Sequence, residues 1–459
     1  MTTQNSLTEF LKRSKGWLMG VLGAALFVAL AAWGGVPHGV STAVFLGGVL
    51  VLLLVIGGLG VAGWHLLKRP LPPGHKLPAI QSLPAAIRQL LAFLLVTSGF
   101  AWIVGGFWDE VWHRTYGVPF GEDFFWRPHM LIYYSIGSAT LLAAGSFYYL
   151  LKHGRGTWQQ RFRANPLLGL LVLLGSFMAF AIPADPVWHF IYGEDLTAWS
   201  IPHIVLIFSF VGVLLLAIAT HTSGTALGRW GWLWRMPRAD WLVIFAVSLI
   251  LNTLLQGMTT DWEGASLSVL QSRPEWLLPA TLVAIALFCG TLTAHSLRRV
   301  WAATTVGLVA LLVRQILRLS FAYEAITINA WLCTLAPLLA VDVWLAVGLW
   351  RERPSGWFTI GLAGLVGLAA VTFPLINQFY AYPTIAADNL PIMLLTCMIA
   401  ALGAAWVGQT VGDYFAAENK QVGGETAVSP SYIRYLSPII AALALIFVAF
   451  FIATAAPPV

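Results

Sequence analysis

Residues 109–129 read DEVWHRTYGVPFGEDFFWRPH, and residues 185–203 read DPVWHFIYGEDLTAWSIPH. Both contain Asp-x-x-Trp-His-x-x-Tyr-Gly, then an acidic pair, a Trp and a closing Pro-His. Asp109 and His113 are four residues apart, as are Asp185 and His189. On a helix, positions i and i+4 share a face, so each carboxylate and imidazole can point at one spot. Each stretch adds a second imidazole, His129 or His203. One carboxylate and two imidazoles form a ligand set for copper, iron or zinc, with coordination positions left for water or substrate. Ligand type alone does not choose among these metals. The acidic pairs Glu122-Asp123 and Glu194-Asp195 could orient the imidazoles from behind or hold a metal on its way in.

Trp, Tyr and His also collect at membrane–water interfaces, and an Asp at a helix end can cap it or pair with Arg114 or Arg127. The duplication favours a metal. The order of features is kept at a distance of 76 residues, while the spacer between histidines changes from 16 positions (His113 to His129) to 14 (His189 to His203). The polar residues match where the apolar ones drift.

The elements that must position these residues are apolar helices. Of 459 residues, 59% are hydrophobic and 10% charged, and the mean hydropathy is +0.80. Such a composition belongs to a polytopic membrane protein. Apolar runs near 17–34, 42–66, 86–108, 128–151, 165–183, 202–221, 239–258, 276–297, 300–320, 327–350, 356–375, 391–411 and 434–455 have the length to span, which predicts an all-α fold of about thirteen transmembrane helices. Tyr116-Gly117 and Tyr192-Gly193 should end one helix, glycine being at ease in a C-terminal cap. Pro128 and Pro202 suit the first turn of the next. The expected object is a helical hairpin with Asp-x3-His on its first arm and His on its second.

Charge then orients the chain. Lys12, Arg13, Lys68, Arg69, Lys152, Arg155, Arg229, Arg235 and most other basic residues fall in alternate loops. Basic loops stay cytoplasmic, so the N-terminus is expected inside and the C-terminus outside, in the cell's inner (plasma) membrane. That bias explains the net charge of +6 without nucleic acid. Twelve of the 19 acidic residues, and both duplicated stretches, fall on the non-cytoplasmic face. The basic N-terminal flank resembles a signal peptide, but the apolar run lacks a small-x-small cleavage site and reads as an uncleaved first helix. The loop 221–240 divides a six-helix half (1–225), carrying the motif, from a seven-helix half (226–459). Cys289, Cys333 and Cys397 lie in apolar stretches without paired spacing and read as buried thiols.

The second half carries fewer signals. TTDWEG places Asp261 and Glu263 at an outer helix end, where they could add carboxylates to the site. Arg314 and Arg318 could pair with Glu324 or bind an anion or a quinol head group. Asp342 lies inside a span, either as a functional acid or as a hydrogen-bond partner of a neighbouring helix. Residues 378–391 form an aromatic outer loop that could cover a cavity.

Two successive outer hairpins, each with Asp-x3-His and a second His beyond, resemble the C subunit of the copper membrane monooxygenases, the particulate methane and ammonia monooxygenases. The resemblance covers about 86–221. It implies one copper site at Asp109, His113 and His129 and an adjacent one at Asp185, His189 and His203. It also implies oxidation of a small apolar substrate that arrives through the bilayer. The chain is longer than that subunit, its first spacer is longer, and both first ligands are Asp. Reducing equivalents would come from a quinol or a partner membrane subunit, since no haem, flavin or iron–sulfur motif is present. Two other functions fit the same residues: a metal or proton transporter, with Asp342 further along the path, and a non-catalytic subunit that holds metal in a larger membrane complex.

Overall fold

The computed structural model describes residues 41–67, 83–116, 126–192, 201–222, 230–263, 276–321, 328–351, 356–379, 386–421 and most of 439–454. The run at 17–34 and the beginning of that at 434–455 lie outside them. The described chain is helical: α1 (Thr42–Leu67), α2 (Ala85–Tyr116), α3 (Arg127–His153), the short α4 (Trp158–Ala164), α5 (Pro166–Tyr192) and α6 (Ile201–Thr222), then α7 (Trp241–Glu263), α8 (Leu277–Leu297), α9 (Ala302–Ser320), α10 (Ile328–Trp350), α11 (Trp357–Phe379) and α12 (Leu390–Gln421). Among the described residues nine helices are long and apolar enough to cross a membrane. A shorter apolar stretch, Trp357–Val371, lies in α11. Two two-residue strands, β1 (Gly231–Trp232) and β2 (Arg299–Val300), pair in parallel and tie the α6–α7 connection to the α8–α9 turn.

The helices bearing the motif outrun their apolar stretches. α2 has 32 residues, which at 1.5 Å each is about 48 Å, against a hydrocarbon core of roughly 30 Å. Its last turns therefore carry Asp109 and His113 beyond the apolar run that ends near 108. α5 does the same with Asp185 and His189, although Pro183 and Pro186 lie inside it. Proline donates no backbone hydrogen bond, so α5 is locally weakened where Asp185 sits. α3 and α6 begin with the expected Pro128 and Pro202.

These four helices close a ring. α2 packs on α3 and α6, and α5 packs on the same two. Exchanging the first motif copy for the second (α2 for α5, α3 for α6) leaves this pattern of neighbours unchanged, so the duplication is structural as well as textual. Gly99 in α2 and Gly175 in α5, again 76 residues apart, each face the opposite copy. A Cβ on Gly99 would sit 2.6 Å from Leu214 of α6, and one on Gly175 would overlap Ala143 of α3. Serines bridge α2 to α3: Ser98 donates to the Ser135 carbonyl at 2.8 Å and Ser135 donates to the Ser98 carbonyl at 2.5 Å. Such interhelical bonds contribute about 0.6 kcal/mol each inside a membrane.

The two copies differ in what lies behind them. α2 also packs on α7 and α9, and its apolar window is 61% buried against 33% for that of α5. Of the two Asp-bearing arms, α2 is therefore built into the body of the protein and α5 lies towards its edge, whereas of the returning arms α3 is the less buried (33%) and α6 the more (83%).

Cys289, Cys333 and Cys397 are buried free thiols, as expected. Asp342 is fully buried and caps α9. Its Oδ1 accepts from Trp301 N at 2.8 Å and its Oδ2 from Thr304 N at 2.6 Å. The α8–α9 turn needs this partner. Arg298 and Trp301 both adopt positive φ (51° and 75°), and Trp301 provides no side-chain cap. A buried carboxylate from α10 takes the orphan N–H groups instead. Of the two roles open to Asp342 from sequence, the structure gives it the hydrogen-bonding one.

Candidate metal centre

The hairpin geometry is as the spacing implies. Asp109 and His113 are one turn apart at the end of α2, and His129 opens α3 directly after Pro128. Both imidazoles turn Nε2 towards one carboxylate oxygen, with His113 at 3.4 Å and His129 at 3.0 Å from Asp109 Oδ1. One donor atom from each of the three residues lies within 4.8 Å of the others, and among the described residues this is the group of three able to hold a metal ion. Two ligands about 2.0–2.1 Å from a shared ion stand roughly 2.9 Å apart at a right angle and roughly 3.4 Å apart in a tetrahedron. The two Asp–His separations match those values, which are also ordinary ion-pair distances, and the two imidazoles bring their donor atoms within 4.8 Å of each other.

Aromatic rings fix the imidazoles. Trp126, the residue before α3, stacks on His113 with centroids 4.9 Å apart and planes 29° apart. Trp126 in turn meets Trp112 edge-on at 5.8 Å. Tyr133, one turn along α3, packs against His129 at 5.9 Å. Asp109, His113 and His129 are each partly buried, with side chains 20%, 25% and 15% exposed. The group is thus reachable, yet sheltered from bulk water on its Trp side.

In the second copy the same pair of atoms meets: His203 Nε2 stands 3.4 Å from Asp185 Oδ1. The backbone of His189 follows one turn after Asp185 in α5, but its side chain lies outside the described residues, so the third member of this group is not placed. Glu122, Asp123, Glu194 and Asp195 also fall outside them. Asp261 and Glu263 end α7, with only their backbone described.

Behind the first centre is a polar contact that sequence reasoning did not single out. Gln256 of α7 donates to Glu110 Oε2 at 3.2 Å. One turn along α2, the buried Arg314 guanidinium of α9 lies over the Phe107 ring, 4.4 Å from its centroid. Arg318 donates to Gln315 at 3.4 Å, and the expected partner Glu324 lies outside the described residues. In the second copy Pro186 and Pro183 replace Glu110 and Phe107, a difference readable in the aligned stretches. Two further pairs at the opposite end of the bundle were also missed: His221 with Asp240 at 3.1 Å and His295 with Asp413 at 3.0 Å. Histidines in the last turns of α6 and α8 were their one local signal.

Comparison of the chain with protein-family models, with curated proteins and with solved structures gave no match.

Proposed function

We propose that this chain is a plasma-membrane metalloprotein that crosses the bilayer about thirteen times, with its N-terminus in the cytoplasm and its C-terminus outside. Its halves, 1–225 and 226–459, share one membrane body, and the first holds copper at Asp109, His113 and His129 near the non-cytoplasmic face. The observation that carries this reading is the convergence of two imidazole Nε2 atoms on one carboxylate oxygen, at separations a shared ion would accept. Imidazole-rich sets suit copper, iron and zinc; copper stands first because of the monooxygenase resemblance. Asp185, His189 and His203 form the corresponding second site, and Glu122, Asp123, Glu194, Asp195, Asp261 and Glu263 surround the approach.

When bound, the ion would supply redox and Lewis-acid chemistry towards dioxygen. The protein's part is to hold and shelter it. Asp109 sets the direction of both Nε2 atoms, Trp126 covers one face of His113, and Trp112 keeps water from that side. A small apolar substrate reaches the site through the bilayer, and electrons come from a quinol or a partner subunit. Asp342, the internal station of the transport reading, accepts two backbone hydrogen bonds at the start of α9. Metal analysis of purified protein tests the proposal: copper should accompany the wild type and fall sharply in His129→Ala. Equal metal content in the two would overturn it.

A further inference from the structure

His113 begins a run of aromatic side chains in contact. It stacks on Trp126 at 4.9 Å, Trp126 meets Trp112 at 5.8 Å, and Trp112 meets Tyr116 at 5.9 Å. A side branch runs from Trp112 to Trp108 at 5.1 Å and stops under Phe321. All are ordinary aromatic contact distances. Tryptophans of a membrane-interface belt sit at the headgroup level, whereas Trp126, Trp112 and Trp108 are buried, at 7%, 9% and 1% exposure. Tyr116, at the end of the run, is 47% exposed. Indole and phenol are the side-chain rings that give up one electron most readily, and rings in contact exchange electrons without a bond. A partly buried centre handling dioxygen or peroxide therefore has an aromatic path from one of its ligands to the surface.

We propose that Trp126, Trp112 and Tyr116 form an electron relay that draws oxidising equivalents away from the metal group and discharges them at the exposed phenol. The proposal rests on the metal reading above. The oxidant is hydrogen peroxide at the metal group, which takes up two electrons and two protons and leaves as two waters, so two passes along the relay consume one peroxide. Trp126 would give one electron to the oxidised metal group that Asp109, His113 and His129 would hold. Trp112 returns an electron to the Trp126 radical cation, and Tyr116 returns one to Trp112. The phenolic proton of Tyr116 passes to water, leaving a neutral tyrosyl radical. A small external thiol restores the phenol by giving it a hydrogen atom, and two such thiyl radicals couple to a disulfide.

The test loads the full-length protein in detergent with copper(II), measures bound metal, adds hydrogen peroxide without thiol, and maps oxidised residues by mass spectrometry. Modification is expected at Trp126, Trp112 and Tyr116. In Trp112→Phe the modification of Tyr116 should fall severalfold while that of Trp126 rises. Trp108→Phe, off the path, should leave Tyr116 as in the wild type. In Tyr116→Phe, an exposed change that leaves the core intact, modification should accumulate at Trp112. If metal binds but Tyr116 is unmodified, or is modified equally without Trp112, the relay is wrong and the metal reading stands. If the wild type binds no metal, both fall.

Discussion

His129 Nε2, at the start of α3, lies 3.0 Å from Asp109 Oδ1, near the end of α2, and His203 repeats the relationship with Asp185 at 3.4 Å. A carboxylate at one helix end thus meets an imidazole at the start of the next, twice in one ring of four helices. Two arms that outrun the hydrocarbon would otherwise end as polar helix tips. The pairing gives each tip a partner and, in the first copy, a third donor in His113.

Metal should stabilise the folded protein through this group. A ligand that binds only the native state, at a hundredfold excess over its Kd, contributes about 2.7 kcal/mol. Thermal unfolding in detergent should therefore move upward on adding copper and fall back with a chelator. His113→Ala should cut the response to what the second group, at Asp185 and His203, supplies alone. Loss of one direct ligand should weaken affinity beyond the roughly 10–100-fold that follows loss of a group merely supporting a ligand. A copper-dependent rise of equal size in His113→Ala would remove His113 from the site.

The matching hairpins predict two ions. Wild type should bind two equivalents, His203→Ala one, His129→Ala one, and the double variant none. A single equivalent in the wild type, lost completely in either single variant, would point to one centre shared by both copies.

Much of this site is readable from the chain because its logic is local. Asp-x3-His requires only a helical turn, and Pro-His only a helix start. What escaped the sequence depends on how helices cross. His295 and Asp413 are 118 positions apart and meet because Gly408 and Gly412 let α12 lie close against α8. Gln256 finds Glu110 across 146 positions, and Asp342 finds the α9 start across 41. The α2 and α5 ends were legible as motif but not as length, since an apolar run marks the hydrocarbon rather than the helix.

Asp342→Ala should destabilise the protein without touching the metal. Two buried backbone N–H groups would lose a charged acceptor at a turn already holding two positive-φ residues. Leaving such donors unsatisfied costs about 1–3 kcal/mol each. Asp342→Asn, which keeps one acceptor oxygen, should recover part of the loss. Thermal stability and bound copper, measured together, check this. Unchanged stability with altered copper content would return Asp342 to the functional residues.

Glycines divide into two predicted classes. A Cβ at Gly412 would stand 2.7 Å from His295 Cβ and 2.9 Å from the Leu292 carbonyl oxygen, and that backbone cannot swing aside. Gly412→Ala should cost about 1–3 kcal/mol, the usual range for overpacking, and loosen the His295–Asp413 pair. Gly47 in α1 meets nothing within 4 Å. Gly47→Ala should be neutral or stabilise by up to about 1 kcal/mol through helix propensity. Equal effects at both would deny that α8 and α12 pack as closely as described.

Sidedness can be tested with cysteine chemistry, because the three native thiols are buried and should not react. Tyr116 and Trp234 are 47% and 69% exposed. They lie at opposite ends of the bundle, one closing the α2 motif turn and the other in the α6–α7 connection. From the basic residues beside Trp234, including Arg235 and Arg238, the charge bias of membrane loops predicts a cytoplasmic connection. In intact cells a membrane-impermeant maleimide should label Tyr116→Cys and spare Trp234→Cys until the membrane is opened. The reverse pattern would turn the protein over and place the metal group on the cytoplasmic side. The same labelling therefore decides which compartment the metal group faces.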